Sequence, residues 1–254
     1  MNLNYKKLGE GQPVIILHGL FGSLDNWMSL AKKWSENYQT WLVDQRNHGQ
    51  SPHSEDFNYQ LMAEDLKEFL AEHQIQDPII LGHSMGGKTA MEFAVNYPNQ
   101  LKKLIVVDIA PIKYEVHHYE IIAALESVDL KKIENRREAD ETLSNKIKEV
   151  GVRQFLLKNL YWESKGKLAW RFNLDVIKNE IIPISEWNIS EQQFDKSTLF
   201  IKGENSNYIK MEHASEITKR FPNYQLEVIE QAGHWVHAEN PEKFSEIVTS
   251  FMKD

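Results

Sequence analysis

The chain contains no cysteine. That excludes disulfides, a thiol nucleophile and thiolate metal sites, and it fits a reducing compartment. Basic residues are in deficit: 29 Lys and Arg against 37 Asp and Glu leave a net charge of −8. A surface that neutralises phosphates needs the opposite balance, so no nucleic-acid partner is expected. Long apolar runs are missing as well. Lys6 and Lys7 precede one, but His18 and Gly19 end it within a few residues, too soon for a signal-peptide core or a membrane span. The expected location is cytoplasmic. Internal repeats, low-complexity tracts and Gly/Ser linkers are absent too. What is there is 254 residues with 41% hydrophobic content, a length that an α/β chain can fold as one unit around a substantial core.

Short apolar runs alternate with helical spacing through the first half. Residues 13–17, 39–43, 78–81 and 104–107 read as strands, and 58–72 and 88–97 as helices. Near-continuous apolar strands between helices predict a mostly parallel sheet flanked by helices. Ligands in such sheets bind beyond the carboxyl ends of the strands. Strand-like runs then disappear between residues 112 and 195, where a charged stretch is followed by Phe155, Tyr161, Trp162, Trp170, Phe172 and Trp187. That region reads as a helical insertion lying over the strand ends. The alternation resumes with strands at 198–201 and 226–229 and helices near 213–220 and 243–252. The expected division is a core of residues 1–111 and 196–254 and a helical cap of residues 112–195, inserted after the sixth strand.

Gly82-His83-Ser84-Met85-Gly86-Gly87 sits between the third of those strands and a helix. This is the context of a nucleophile elbow, a strained corner that exposes a serine hydroxyl, with glycines where strand and helix pass closely. The plainer alternative is a turn in which Ser84 only caps the helix. A serine hydroxyl needs a base to take its proton. Gly233-His234-Trp235 follows the last strand, which brings His234 to the same sheet edge, and serine before histidine is the chain order that accompanies an elbow. An oxyanion requires two donors. One is expected from the Met85 backbone N–H and the other from the loop His18-Gly19-Leu20-Phe21-Gly22, with Leu20 the better candidate and Phe21 the reserve.

Taken together, these segments resemble the α/β-hydrolase superfamily, and especially the small YbfF-type esterases. The resemblance rests on His18-Gly19-Leu20-Phe21-Gly22-Ser23, Asp44-Gln45-Arg46-Asn47-His48-Gly49-Gln50-Ser51, the Ser84 elbow, Val107-Asp108-Ile109-Ala110-Pro111, Trp170-Arg171-Phe172-Asn173 and Gly233-His234-Trp235-Val236-His237-Ala238. It spans nearly the whole chain. It implies a Ser-His-acid esterase or thioesterase with a helical cap, no cofactor, no metal, and short to medium acyl substrates. The loop 44–51 is expected to brace the site.

The acid departs from the broad superfamily pattern, in which it follows the strand after the cap. There the chain reads Gly203-Glu204-Asn205-Ser206, with a serine where the aspartate would stand. A carboxylate is still needed to fix the histidine tautomer. Asp108, at the end of the strand after the nucleophile helix, is the leading candidate, since several capped relatives place their acid there. Asp175 and Glu204 stay open as alternatives.

The expected triad is therefore Ser84, Asp108 and His234, with Leu20 and Met85 as the oxyanion hole. Phe21, Phe155, Tyr161, Trp162, Trp170 and Trp235 are the expected substrate-binding walls. The expected partner is a small-molecule ester or thioester, and the chain a monomer or small homo-oligomer. A perhydrolase, a carbon–carbon bond hydrolase and a non-catalytic binding member of the fold are the competing readings. Haloalkane dehalogenases and typical epoxide hydrolases need an aspartate at position 84 and are disfavoured.

Overall fold

A computed structural model describes residues 1–116, 118–187 and 189–253. The first half winds as β1 (Tyr5–Leu8), β2 (Gln12–Leu17), α1 (Met28–Trp34), β3 (Tyr38–Val43), α2 (Tyr59–Glu72), β4 (Ile79–His83), α3 (Met85–Asn96) and β5 (Lys103–Val107). After an insertion, β8 (Thr198–Gly203), α8 (Ala214–Arg220), β9 (Tyr224–Ile229), α9 (Val236–Glu239) and α10 (Pro241–Lys253) complete it. The sheet has seven strands in the order β1-β3-β2-β4-β5-β8-β9. Only β1 runs antiparallel, against β3.

Alternation along each strand puts the two sheet faces into separate cores. In β2, Ile15 and Leu17 join one core, while Val14 and Ile16 join the other. In β5, Leu104 and Val106 face one way, Ile105 and Val107 the other. Phe69 of α2 and Phe93 of α3 cover the first face; Trp34 of α1 and Phe244 of α10 cover the second. Two-sided burial is why these strands read as unbroken apolar runs.

The stretch between β5 and β8 contains α4 (Tyr119–Glu126), α5 (Arg136–Ser144), α6 (Val150–Leu157), β6 (Leu160–Ser164), β7 (Lys167–Trp170) and α7 (Leu174–Ser185). Its apolar residues, Leu125, Leu143, Leu156 and Ile177 among them, join the core on the α2/α3 side. Two expectations are corrected here. The insertion follows the fifth strand and not the sixth, and it is not purely helical, because β6 and β7 form an antiparallel hairpin. The hairpin is not legible in the sequence because β6 is mostly exposed and its residues Glu163 and Ser164 break the apolar alternation. Strand β1 is likewise a short and largely exposed edge with the same weak signal.

Candidate active site

The peptide order reverses at β2, whose neighbours are β3 and β4, and the crevice of an open α/β sheet opens at such a point. Ser84 lies there, between β4 and α3, with φ 52° and ψ −117°. A left-handed φ on a non-glycine residue is strained, and strand and helix pass closely on either side of it. A Cβ on Gly82 would stand 2.1 Å from the Gly86 carbonyl oxygen, and one on Gly86 2.4 Å from that of Leu17. The Ser84 N–H donates to the Val107 carbonyl at 2.9 Å. Its side chain makes no capping hydrogen bond, so the plain N-cap reading fails. Ser84 is also not open to solvent: the residue is only 9% exposed and lines cavities beneath the insertion.

Asp108 follows β5, also at positive φ (50°), and is fully buried. The His234 Nδ1–H donates to its Oδ2 at 2.7 Å. The Gly203 N–H donates to Oδ1 at 3.0 Å, and the Ser206 hydroxyl donates to Oδ2. A buried carboxylate is tolerable only when donors replace its water, and three do so here. Ser206, standing where the broad superfamily has its acid, thus donates to Asp108. Neither alternative acid bonds to His234 among the described residues. Glu204 accepts from the Gln231 N–H at 2.9 Å, and Asp175 sits in the first turn of α7.

His234 is held on three sides. Its carbonyl accepts from His83 Nε2–H at 2.9 Å, Tyr208 stacks on its ring at 4.1 Å, and Nδ1 is taken by Asp108, which leaves Nε2 as the basic nitrogen. Tyr208 is itself placed by Tyr114, whose hydroxyl donates to the Tyr208 carbonyl and accepts from the Ala110 N–H at 2.9 Å. Sequence reasoning missed Tyr114 and Tyr208, since isolated tyrosines in loops show no periodicity.

The two N–H groups expected for an oxyanion, those of Leu20 and Met85, make no hydrogen bond among the described residues. The reserve candidate is spent: the Phe21 N–H donates to His48 Nε2 at 3.2 Å. The loop 44–51 braces this region as expected. The His18 Nδ1–H donates to the Gly19 carbonyl at 2.8 Å, while His18 Nε2 accepts from the Gln45 N–H at 3.1 Å. Burial pulls His18 down to about 4 and His48 and His237 to about 3, so these rings stay neutral supports.

Two cavities share Leu20, Ser84 and His118. The first is walled by Phe21, Phe155, Val152 and Trp235 and also touches His234. The second reaches Tyr59, Ile109, Lys88 and Tyr208. Burial lowers the Lys88 amine to about 7; it lies 3.3 Å from the Ser185 carbonyl and 5.0 Å from the Tyr114 ring centre. Phe21, Phe155 and Trp235 thus line a cavity beside Ser84. Tyr161, Trp162 and Trp170 line neither cavity. Trp162 points outward, 53% exposed, Tyr161 packs under Arg171, and Trp170 stacks behind Phe172, which in turn meets Phe21. The hairpin that sequence did not reveal is what turns these rings away.

The fold and this sheet-edge constellation define the class. A family model described as the alpha/beta hydrolase fold matches residues 12–127 and 151–241, and the chain belongs to that family. It is 37% identical over 246 residues to esterase YbfF of Escherichia coli, covering 96% of this chain and 94% of that one. It is 41% identical over 247 residues to the mouse sn-1-specific diacylglycerol lipase ABHD11, covering 94% and 80%. A solved structure of a marine microorganism esterase matches with a TM-score of 0.95 and 44% identity, covering 98% of both chains. The resemblance to YbfF-type esterases thus stands, and the chain is a carboxylic ester hydrolase.

Proposed function

We propose that the protein hydrolyses carboxylic esters or thioesters of short to medium acyl chains through an acyl-enzyme on Ser84. The observation that carries this reading is the 2.7 Å bond from His234 Nδ1 to the buried Asp108, in a site where Ser84 and His234 wall one cavity. His234 Nε2 takes the Ser84 proton as Oγ attacks the acyl carbon, and Asp108 stabilises the imidazolium. The Leu20 and Met85 N–H groups receive the oxyanion. His234 then protonates the departing alcohol or thiol. Water, deprotonated by the same ring, releases the acid and returns the proton to Ser84. Apo hydroxyl–imidazole contacts are often loose and tighten with substrate, in keeping with a Ser84 hydroxyl that bonds to no described side chain.

Residues 112–195 act as a cap in this reading, and Phe155 and Val152 wall the acyl slot with Phe21 and Trp235. A cysteine-free chain suits the cytoplasm. The test is fluorophosphonate labelling followed by a panel of p-nitrophenyl esters, acyl-CoA thioesters and one long-chain diacylglycerol. Labelling at Ser84 with fastest turnover of short or medium esters or thioesters supports the proposal. No labelling at Ser84 overturns the acyl-enzyme reading, and a preference for the diacylglycerol overturns the chain-length reading.

A further inference from the structure

Gly19 to Gly22 form a β-turn closed by the Gly22 N–H donating to the Gly19 carbonyl at 2.9 Å. Leu20 and Phe21 are its central residues. Phe21 has φ 58°, as the third residue of a type II turn requires and as glycine, not phenylalanine, adopts readily. With a negative φ at Phe21 the turn relaxes to type I, in which the Leu20–Phe21 peptide is turned over. Something must hold the strained form.

Both polar groups of Phe21 are clamped. Its N–H meets His48 Nε2 at 3.2 Å, and His48 is fixed as an acceptor there because its Nδ1–H donates to the Arg46 carbonyl at 2.9 Å. Its carbonyl accepts from Asn159 Nδ2 at 2.7 Å. Asn159 belongs to the insertion, between α6 and β6, and its backbone is pinned in turn: its N–H donates to Leu156 at 3.0 Å and its carbonyl accepts from Arg171 at 2.9 Å. The Asn159 amide is buried, and its Oδ1 has no hydrogen-bond partner among the described residues. Flipping the amide would set oxygen against the Phe21 oxygen, so the donor orientation is determined. A buried amide satisfied at one end only is a poor choice for packing; its one short bond goes to the loop that carries the oxyanion donor. The insertion touches the other half of the clamp as well, since the Asn173 N–H donates to the Asn47 carbonyl, next to His48, at 2.9 Å.

We propose that Asn159 is a positioning residue for the oxyanion hole: by holding the Phe21 carbonyl it lets the insertion keep the strained Gly19–Gly22 turn, and with it the loop that carries the Leu20 N–H, in place. The inference rests on the proposed esterase mechanism. Asn159→Asp keeps the shape and replaces the donor with a repelling acceptor; Asn159→Ala removes the bond with less disturbance. Each is measured for kcat and KM on p-nitrophenyl acetate per titrated active site, for affinity toward an alkylboronic acid that mimics the tetrahedral oxyanion, and toward a neutral ground-state amide inhibitor. Expected is a fall of about tenfold in per-site kcat, smaller than the loss of an oxyanion donor outright. Boronic acid binding should weaken in proportion, with amide binding and KM within about twofold. Per-site kcat and boronic acid affinity within twofold of the parent in Asn159→Ala overturn the proposal, as does a loss shared equally by the amide. Ser84→Ala in the same assay separates the two readings. Retained turnover there sinks the mechanism itself, whereas an inactive Ser84→Ala beside unaffected Asn159 variants sinks only this inference.

Discussion

The sheet edge and the insertion meet over Ser84 and hold the site by different physics. On the sheet side nearly every polar group is spoken for: Asp108 accepts three hydrogen bonds, and His18 and His48 are locked between backbone groups. The insertion contributes mainly apolar contact, such as Phe155 against Trp235 at 5.8 Å and Phe172 against Phe21 at 5.2 Å, with Asn159 a polar exception. Hydrogen bonds are directional and fix atoms to fractions of an ångström, as chemistry needs. Apolar walls are non-directional and tolerate a range of occupants. Changes on the sheet side should therefore act on turnover, and changes on the insertion side on substrate choice.

The largest effect should come from Ser84→Ala. Turnover of p-nitrophenyl acetate should fall by about 10⁴-fold or more, while the melting temperature stays within a few degrees because one small side chain replaces another. A variant that keeps near-parental turnover would remove the sheet edge from the chemistry. Asp108→Asn comes next. The amide can hold the wrong His234 tautomer, a change that in the worked protease example lost roughly 10⁴-fold in kcat. Glu204→Gln and Asp175→Asn should cost under about tenfold, since neither touches His234; a collapse in Asp175→Asn would put the acid in the insertion.

Acid should weaken the sheet side through its buried histidines. His18, His48 and His237 have folded values near 4, 3 and 3, below the reference of about 6.5 that they regain on unfolding. Below that reference the unfolded chain binds protons that the folded chain refuses, so stability is full above about pH 6.5 and drains as pH falls toward the folded values. Each histidine should cost about 1.4 kcal/mol one pH unit below its unfolded value. Urea melts at pH 7.5 and 5.5 measure the sum over these three and His83, which burial also holds well below the reference, and His237→Phe, which keeps a ring against Trp27, should flatten the slope by about a quarter. An equal slope in that variant would assign the acid sensitivity elsewhere.

Smaller and of another kind is Phe155→Ala. Widening the apolar wall should shift kcat/KM between acetate and hexanoate esters by roughly 5- to 50-fold, the range one to a few methylenes can command, with little change in kcat on acetate. A uniform loss across chain lengths would make Phe155 a support and not a wall. Trp162→Ala is the control and the smallest effect. This exposed ring should change neither parameter by more than about twofold; a large shift would show that the hairpin reaches the substrate after all.

The readable parts of this protein share one property: their physical cause is local. Two-sided burial makes Val14 to Leu17 and Leu104 to Val107 apolar in unbroken runs. The close crossing of β4 and α3 demands glycine at 82 and 86, and an elbow demands a small nucleophile between them. From such features the parallel sheet and the candidacy of Ser84 and His234 follow without coordinates, while Asp108 takes its leading place from the strand end it occupies and from the resemblance to capped relatives. The tertiary structure alone decided the rest, where the cause is contact between distant segments. Which carboxylate reaches His234 depends on how β5 and β9 lie about β8. Whether Leu20 or Phe21 has a free N–H depends on His48, 27 residues away from Phe21. Which aromatics meet substrate depends on a hairpin whose exposed strand lacks the alternation that reveals a buried one. Periodicity reports which residues are buried and leaves unsaid which partner buries them, so the strained corner at Ser84 could be read from the chain and the walls around it could not.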